Sequence, residues 1–84
     1  MNQSQILEQT ADIIRDVIDP LNDKNLTIDT RTTADQVDGW DSFNHINIVV
    51  ALEQHFGVKF KIAEIESLRN VGELVALIGR KTGS

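Results

Sequence analysis

Residues 41–57, DSFNHINIVVALEQHFG, decide the fold. On a wheel of about 100° per residue, Gln54, Asn47, Ala51, Asn44 and His55 share one polar arc, while Ile48, Leu52, Phe56, Val49, Ile46, Val50 and Phe43 sweep roughly 220°. The spacing predicts a helix from near Ser42 to Phe56, with Gly57 suited to the left-handed conformation that ends helices. A helix lying on one side of a small bundle needs an apolar stripe of only about 100°. The wider arc therefore divides. Val49, Leu52, Phe56 and Ile48 form the half expected in the core. Phe43, Ile46 and Val50, spaced three and four apart, form a second half expected to face solvent or another protein. Glu53 lies beside Ile46 and Val50 on the wheel, and an apolar patch with an acidic rim suits docking. The alternative is a central helix that buries both halves.

Working outward, Ile6, Leu7, Ala11, Ile13, Ile14, Val17 and Ile18 recur at helical spacing and predict a first helix over Gln3–Ile18. Asn2 or Ser4 can cap its start, and Pro20 stops it. At the other end Asn70 and Glu73 stand at capping-box spacing ahead of the stripe Val71, Leu74, Val75 and Ile78. The alternation Val58-Lys59-Phe60-Lys61-Ile62 reads as an extended connector, because a lone strand would have no partner. A short helix over 62–68 should then press Ile62, Ile65 and Leu68 onto the bundle. Residues 19–41 lack periodicity, and unstructured segments longer than about 12–15 residues are uncommon in compact domains unless functional. Leu26, Ile28, Val37 and Trp40 are spaced to pin this loop to the helices. The expected fold is all-α, a four-helix bundle of three longer helices and one short one with a long first loop, forming one domain over residues 1–84.

Charge and composition narrow the function. Thirteen acids against eight bases give a net charge of −5. Residues 1–57 carry the acidic excess, while residues 58–84 are slightly basic. Nucleic-acid binding needs a basic stripe and is not expected; basic protein partners fit better. There is no cysteine, hence no thiolate nucleophile or Cys-based zinc site. The apolar run Ile48-Val49-Val50-Ala51-Leu52 falls far short of the roughly 20 residues that span a bilayer, so no membrane insertion is expected. The first residues lack the basic start and apolar stretch of a signal peptide, which points to the cytoplasm.

The entry to the second helix, Asp38-Gly39-Trp40-Asp41-Ser42-Phe43, holds the residue of greatest interest. Ser42 projects at the same end as Phe43 and Ile46. Its hydroxyl would meet the unpaired N–H groups and positive dipole end of the helix, where a phosphodiester's charge is stabilised. As a Ser beside an Asp it is equally suited to plain helix capping. Asp41, Ser42 and His45 have the residue types of a hydrolase triad, but neighbours on one helix end cannot aim at each other in that order, so no catalytic residues are expected. His45 and His55 stand about 15 Å apart along the helix and cannot share a metal. Asp35, Asp38 and Asp41 do not match a calcium loop, and no metal site is expected.

Taken together, the chain resembles the acyl carrier protein family over nearly its whole length, most closely from Asp35 to Ile78. Asp41-Ser42-Phe43 is similar to the family's Asp-Ser-Leu attachment motif, Ala51-Leu52-Glu53-Gln54-His55-Phe56-Gly57-Val58 to its Leu-Glu-Glu-x-Phe-Gly segment, and Asn70-Val71-Gly72-Glu73-Leu74 stands where its last helix opens. The resemblance implies that Ser42 receives 4′-phosphopantetheine from coenzyme A through a phosphopantetheinyl transferase, with Asp41 assisting through the transferase's magnesium. The terminal thiol would carry acyl intermediates as thioesters to acyl-loading and acyl-transfer enzymes, which also explains a cysteine-free chain. Phe43, Ile46, Val50 and Glu53 would contact these partners, and the protein would be a monomeric carrier and not an enzyme. Ile6, Ile14, Val49, Leu52, Phe56, Ile65, Leu74 and Ile78 would line a core able to shelter a bound chain. Two departures stand out. Phe43 replaces the usual leucine, and Asn44, Asn47, Gln54 and His55 occupy positions that are often acidic in carriers of fatty-acid synthesis. Gly39-Trp40-Asp41-Ser42 also looks like free-standing carriers of specialised pathways. A carrier outside bulk fatty-acid synthesis is expected; an aminoacyl, peptidyl or hydroxy-acid carrier and an unmodified helical interaction module are the alternatives.

Overall fold

The computed structural model describes residues 2–21, 23 and 26–83. Four α-helices follow one another: α1 (Gln3–Ile18), α2 (Ser42–Phe56), α3 (Ile62–Glu66) and α4 (Val71–Thr82), with one turn of 3-10 helix at Ala34–Gln36 in the first loop. No strand forms among the described residues. The all-α bundle of three longer helices and one short one is as expected.

Each long helix begins where a side chain satisfies its unpaired N–H groups. At α1, Asn2 Oδ1 accepts from the Gln5 N–H at 2.9 Å and Gln5 Oε1 accepts from the Asn2 N–H at 3.0 Å, so Asn2 and not Ser4 is the cap. Asn70 Oδ1 accepts from the Glu73 N–H at 2.8 Å at the start of α4. Gly57 ends α2 at φ 69° in the left-handed region, which costs a glycine little.

Helix α1 packs against both α2 and α4. Ile6 and Ile14 of α1, Ile48 and Leu52 of α2, and Val71 and Ile78 of α4 are fully buried between them. Among these apolar side chains Thr10 is also fully buried, and its Oγ1 finds no hydrogen-bond partner among the described residues.

The first loop is tied down as its apolar residues predict. Ile28 and Val37 are buried, and Leu26 and Trp40 pack on the core. Backbone bonds add what the sequence did not reveal. Asp29 and Thr32 close a turn: the Asp29 N–H donates to Thr32 Oγ1 and the Arg31 N–H to Asp29 Oδ1, both at 2.9 Å. That turn aims two carbonyls at the open end of α4. Thr32 O accepts from the Val71 N–H and Thr30 O from the Gly72 N–H, both at 2.9 Å. A Cβ on Gly72 would stand 2.8 Å from Thr30 O, closer than real contacts allow.

Helix α3 differs from expectation. It ends at Glu66, and Ile62 is 74% exposed, so Ile62 does not press onto the bundle. Phe60 fills the inward position two residues earlier, while Ile65 and Leu68 pack on the core as predicted. The helix is fixed from outside: Glu64 Oε1 accepts from the Lys61 N–H at 2.8 Å and lies 2.9 Å from Lys81 Nζ of α4, which also sits 5.8 Å above the Phe60 ring. The Lys61 amide, and after it the Lys81 ammonium, hold the Glu64 carboxyl below its ordinary range.

Two stability changes follow. Gly72→Ala should destabilise by about 1–3 kcal/mol, because the loop must shift to admit the methyl group; urea unfolding measures it. Thr10→Val removes an unpaired buried hydroxyl at constant shape and should stabilise by about 1 kcal/mol, read as a higher Tm.

Candidate functional site

Asp41 and the first turn of α2 build the site. Asp41 Oδ1 accepts from the Asn44 N–H at 2.8 Å, so the helix cap is Asp41. Ser42 is the first helical residue and is exposed. The capping role that local sequence also allowed for this serine is thus taken by its neighbour. Asn44 Nδ2 donates to Gly39 O at 2.7 Å, which fastens the preceding turn to the helix. Trp40, half-buried, donates its Nε1–H to His45 Nδ1 at 3.1 Å, and the two rings stack with centroids 6.1 Å apart. Indole only donates, so His45 Nδ1 is the acceptor in this pair.

The two faces of α2 separate as the wheel predicts. Ile48, Val49 and Leu52 are buried and Phe56 packs on the core, whereas Phe43, Ile46 and Val50 are 75%, 54% and 43% exposed. The central-helix alternative does not hold. Ser42 therefore stands at the head of an uncovered apolar row. Beside it opens a cleft of about 450 Å³ whose walls include Trp40, Ile46, Ile65 and Leu68.

Glu53 lies one turn beyond Val50, but its carboxylate also works within the fold. Oε2 accepts from the Phe60 N–H at 2.8 Å and holds the connector against α2. Sequence reasoning placed Glu53 on the patch and missed this tie, because a backbone donor leaves no mark in the sequence. The histidines are ordinary helix residues: His45 pairs with Trp40, and His55 Nε2 lies 2.7 Å from Gln9 Oε1 of α1. Among the described residues no group of three His, Asp or Glu side chains converges on a metal position, and no helix is long and apolar enough to cross a membrane.

A small helical bundle that presents an exposed serine beside an apolar helix face defines a carrier-type domain. The family described as "Phosphopantetheine attachment site" matches residues 6–78. Among curated relatives, the acyl carrier protein of Thermosynechococcus vestitus is 30% identical over 84 residues, covering 100% of both chains. That of Akkermansia muciniphila is 31% identical over 83 residues, 99% of this chain and 100% of the relative. The solution structure of a holo acyl carrier protein from Geobacter metallireducens superposes with a TM-score of 0.81 at 36% identity, covering 92% of this chain and 85% of that one. The chain belongs to the acyl carrier protein family, whose members are carriers and not catalysts.

The dual placement of Glu53 is open to a direct check. Glu53→Gln keeps an acceptor oxygen for the Phe60 N–H and should leave stability nearly unchanged, while Glu53→Ala should lower it by about 1–3 kcal/mol in urea unfolding.

Proposed function

We propose that Ser42 is the attachment point for 4′-phosphopantetheine, and that the protein carries acyl groups for a specialised pathway rather than bulk fatty-acid synthesis. One observation carries the reading: Ser42 is exposed at the first turn of α2, relieved of capping by Asp41, at the head of the uncovered row Phe43, Ile46 and Val50. The residues present fit the group. In loading, Ser42 Oγ bonds to the phosphorus bearing the pantetheine arm of coenzyme A, loses its proton, and displaces 3′,5′-ADP as the pyrophosphate bond breaks. The new phosphodiester would sit against the positive end of α2, where partial charge and nearby N–H groups favour an anion. Bound in this way, the arm supplies a terminal thiol that holds an acyl group as a thioester.

Asp41 holds the first turn so that Ser42 stays outward, and in the family's manner it would assist a transferase and its magnesium. Phe43, Ile46 and Val50 would dock the transferase and the acyl-loading and acyl-transfer enzymes, with Glu53 at the far edge of the strip. Asn44, Asn47, Gln54 and His55 leave this helix with Glu53 as its only carboxylate after Asp41, fewer than basic docking sites grip, which supports partners outside bulk fatty-acid synthesis. In this reading the protein is a monomer of one domain, residues 1–84, working in the cytoplasm.

Intact mass tests the attachment. Incubation with coenzyme A, magnesium and a broad-specificity phosphopantetheinyl transferase should add a single phosphopantetheine, and Ser42→Ala should abolish the gain. A wild-type chain that stays unmodified would overturn the assignment.

A further inference from the structure

The cleft beside Ser42 does not stand alone. Next to it lies a second, smaller cavity of about 40 Å³, lined also by Thr32, Arg69, Asn70 and the buried Leu74 of α4. Ala34, Trp40, His45 and Leu68 line both spaces, so the two adjoin at these residues. Two of these four are locked together. Trp40 comes from the loop and His45 from α2, and the Nε1–H to Nδ1 bond at 3.1 Å joins them across the join of loop and helix, with their rings 28° from parallel.

We propose that the Trp40–His45 pair is the stop that limits the length of acyl chain this carrier shelters. The inference rests on the reading of Ser42 as the tether. An arm fixed at Ser42 can fold back into the outer cleft, which Ser42 itself lines and whose volume lies in the range of small-ligand pockets, roughly 300–1,000 Å³. Its apolar walls, Ile46, Ile65 and Leu68 among them, suit an alkyl chain, and the carboxylates of Asp41 and Glu66 also line it. The second cavity has less than a tenth of the volume of the cleft. A chain that grows past the outer cleft meets the indole and imidazole before it reaches Leu74. Because those rings are bonded to each other, moving one aside costs the hydrogen bond as well as the packing. Short chains are sheltered, and each further carbon beyond the stop remains in water.

Hydrolysis of the thioester reads this directly: hydroxide adds to the carbonyl carbon, the C–S bond breaks, and thiol and carboxylate leave. Butanoyl-, hexanoyl-, octanoyl- and decanoyl-coenzyme A serve as donors for the same transferase, and loss of the acyl mass at mildly alkaline pH gives the rate for each, against the free acyl-pantetheine thioester. Each methylene that enters the cleft should increase the sheltered-to-open ratio up to about fourfold. In the wild type, protection should rise with length and level off before decanoyl. His45→Ala, at a helix position where alanine is the best former, and Trp40→Ala should both move the levelling point to a longer chain. If circular dichroism shows Trp40→Ala unfolded, His45→Ala decides alone. Protection that climbs unbroken through decanoyl in the wild type, absence of protection at every length, or a levelling point unmoved by His45→Ala overturns the stop and leaves the tether intact. Failure to gain acyl-phosphopantetheine mass at all overturns the tether and the stop together.

Discussion

The amides of Val71 and Gly72 at the head of α4 donate to Thr32 O and Thr30 O of the first loop, and the rest of the molecule is arranged around that closure. A helix start leaves unpaired N–H groups, and a long loop leaves unpaired carbonyls; each is costly when shielded from water. Joining them satisfies both at once. It also fixes where the loop travels. From Thr32 the chain makes its 3-10 turn, buries Val37, and arrives at Trp40 and Asp41 already oriented toward α2. Gly72 is the residue that permits the approach, since any side chain there would meet Thr30 O.

Helix α2 is asked to do two things, and its composition reflects both. One side supplies Ile48, Val49 and Leu52 to the core, while the other leaves Phe43, Ile46 and Val50 uncovered. Uncovered apolar surface of this kind is retained where a partner uses it. The acids around it are not idle surface charge. Asp41 caps the helix, Glu53 holds Phe60, and Glu64 holds Lys61 and Lys81. The fold thus spends these carboxylates internally.

Much of this was legible in the residues. Apolar periodicity with the cap and stop residues marked α1, α2 and the start of α4 to within a residue, because packing against a common core is what made that periodicity. The split of α2 into a buried and an open face followed from the width of its apolar arc. What could not be read were contacts in which one party is backbone. The carbonyls of Thr30 and Thr32 carry no side-chain signature, and neither does the amide of Phe60; only a glycine near the start of α4 hinted at a close approach. Ile62 misled for a different reason. Its helical spacing from Ile65 and Leu68 placed all three on one inward face, but the helix runs only over Ile62–Glu66, and Phe60 of the connector takes the inward position while Ile62, at the helix start, stays exposed.

Trp40 is the sole tryptophan in the chain and there is no tyrosine. Its indole, two residues before Ser42, leans on the imidazole of His45 three residues after it, half in and half out of water. Nearly all the near-ultraviolet emission of this protein therefore originates within a few ångströms of the place where cargo would hang. The molecule comes with its own lamp, set in the wall of the cleft that Ser42 also lines.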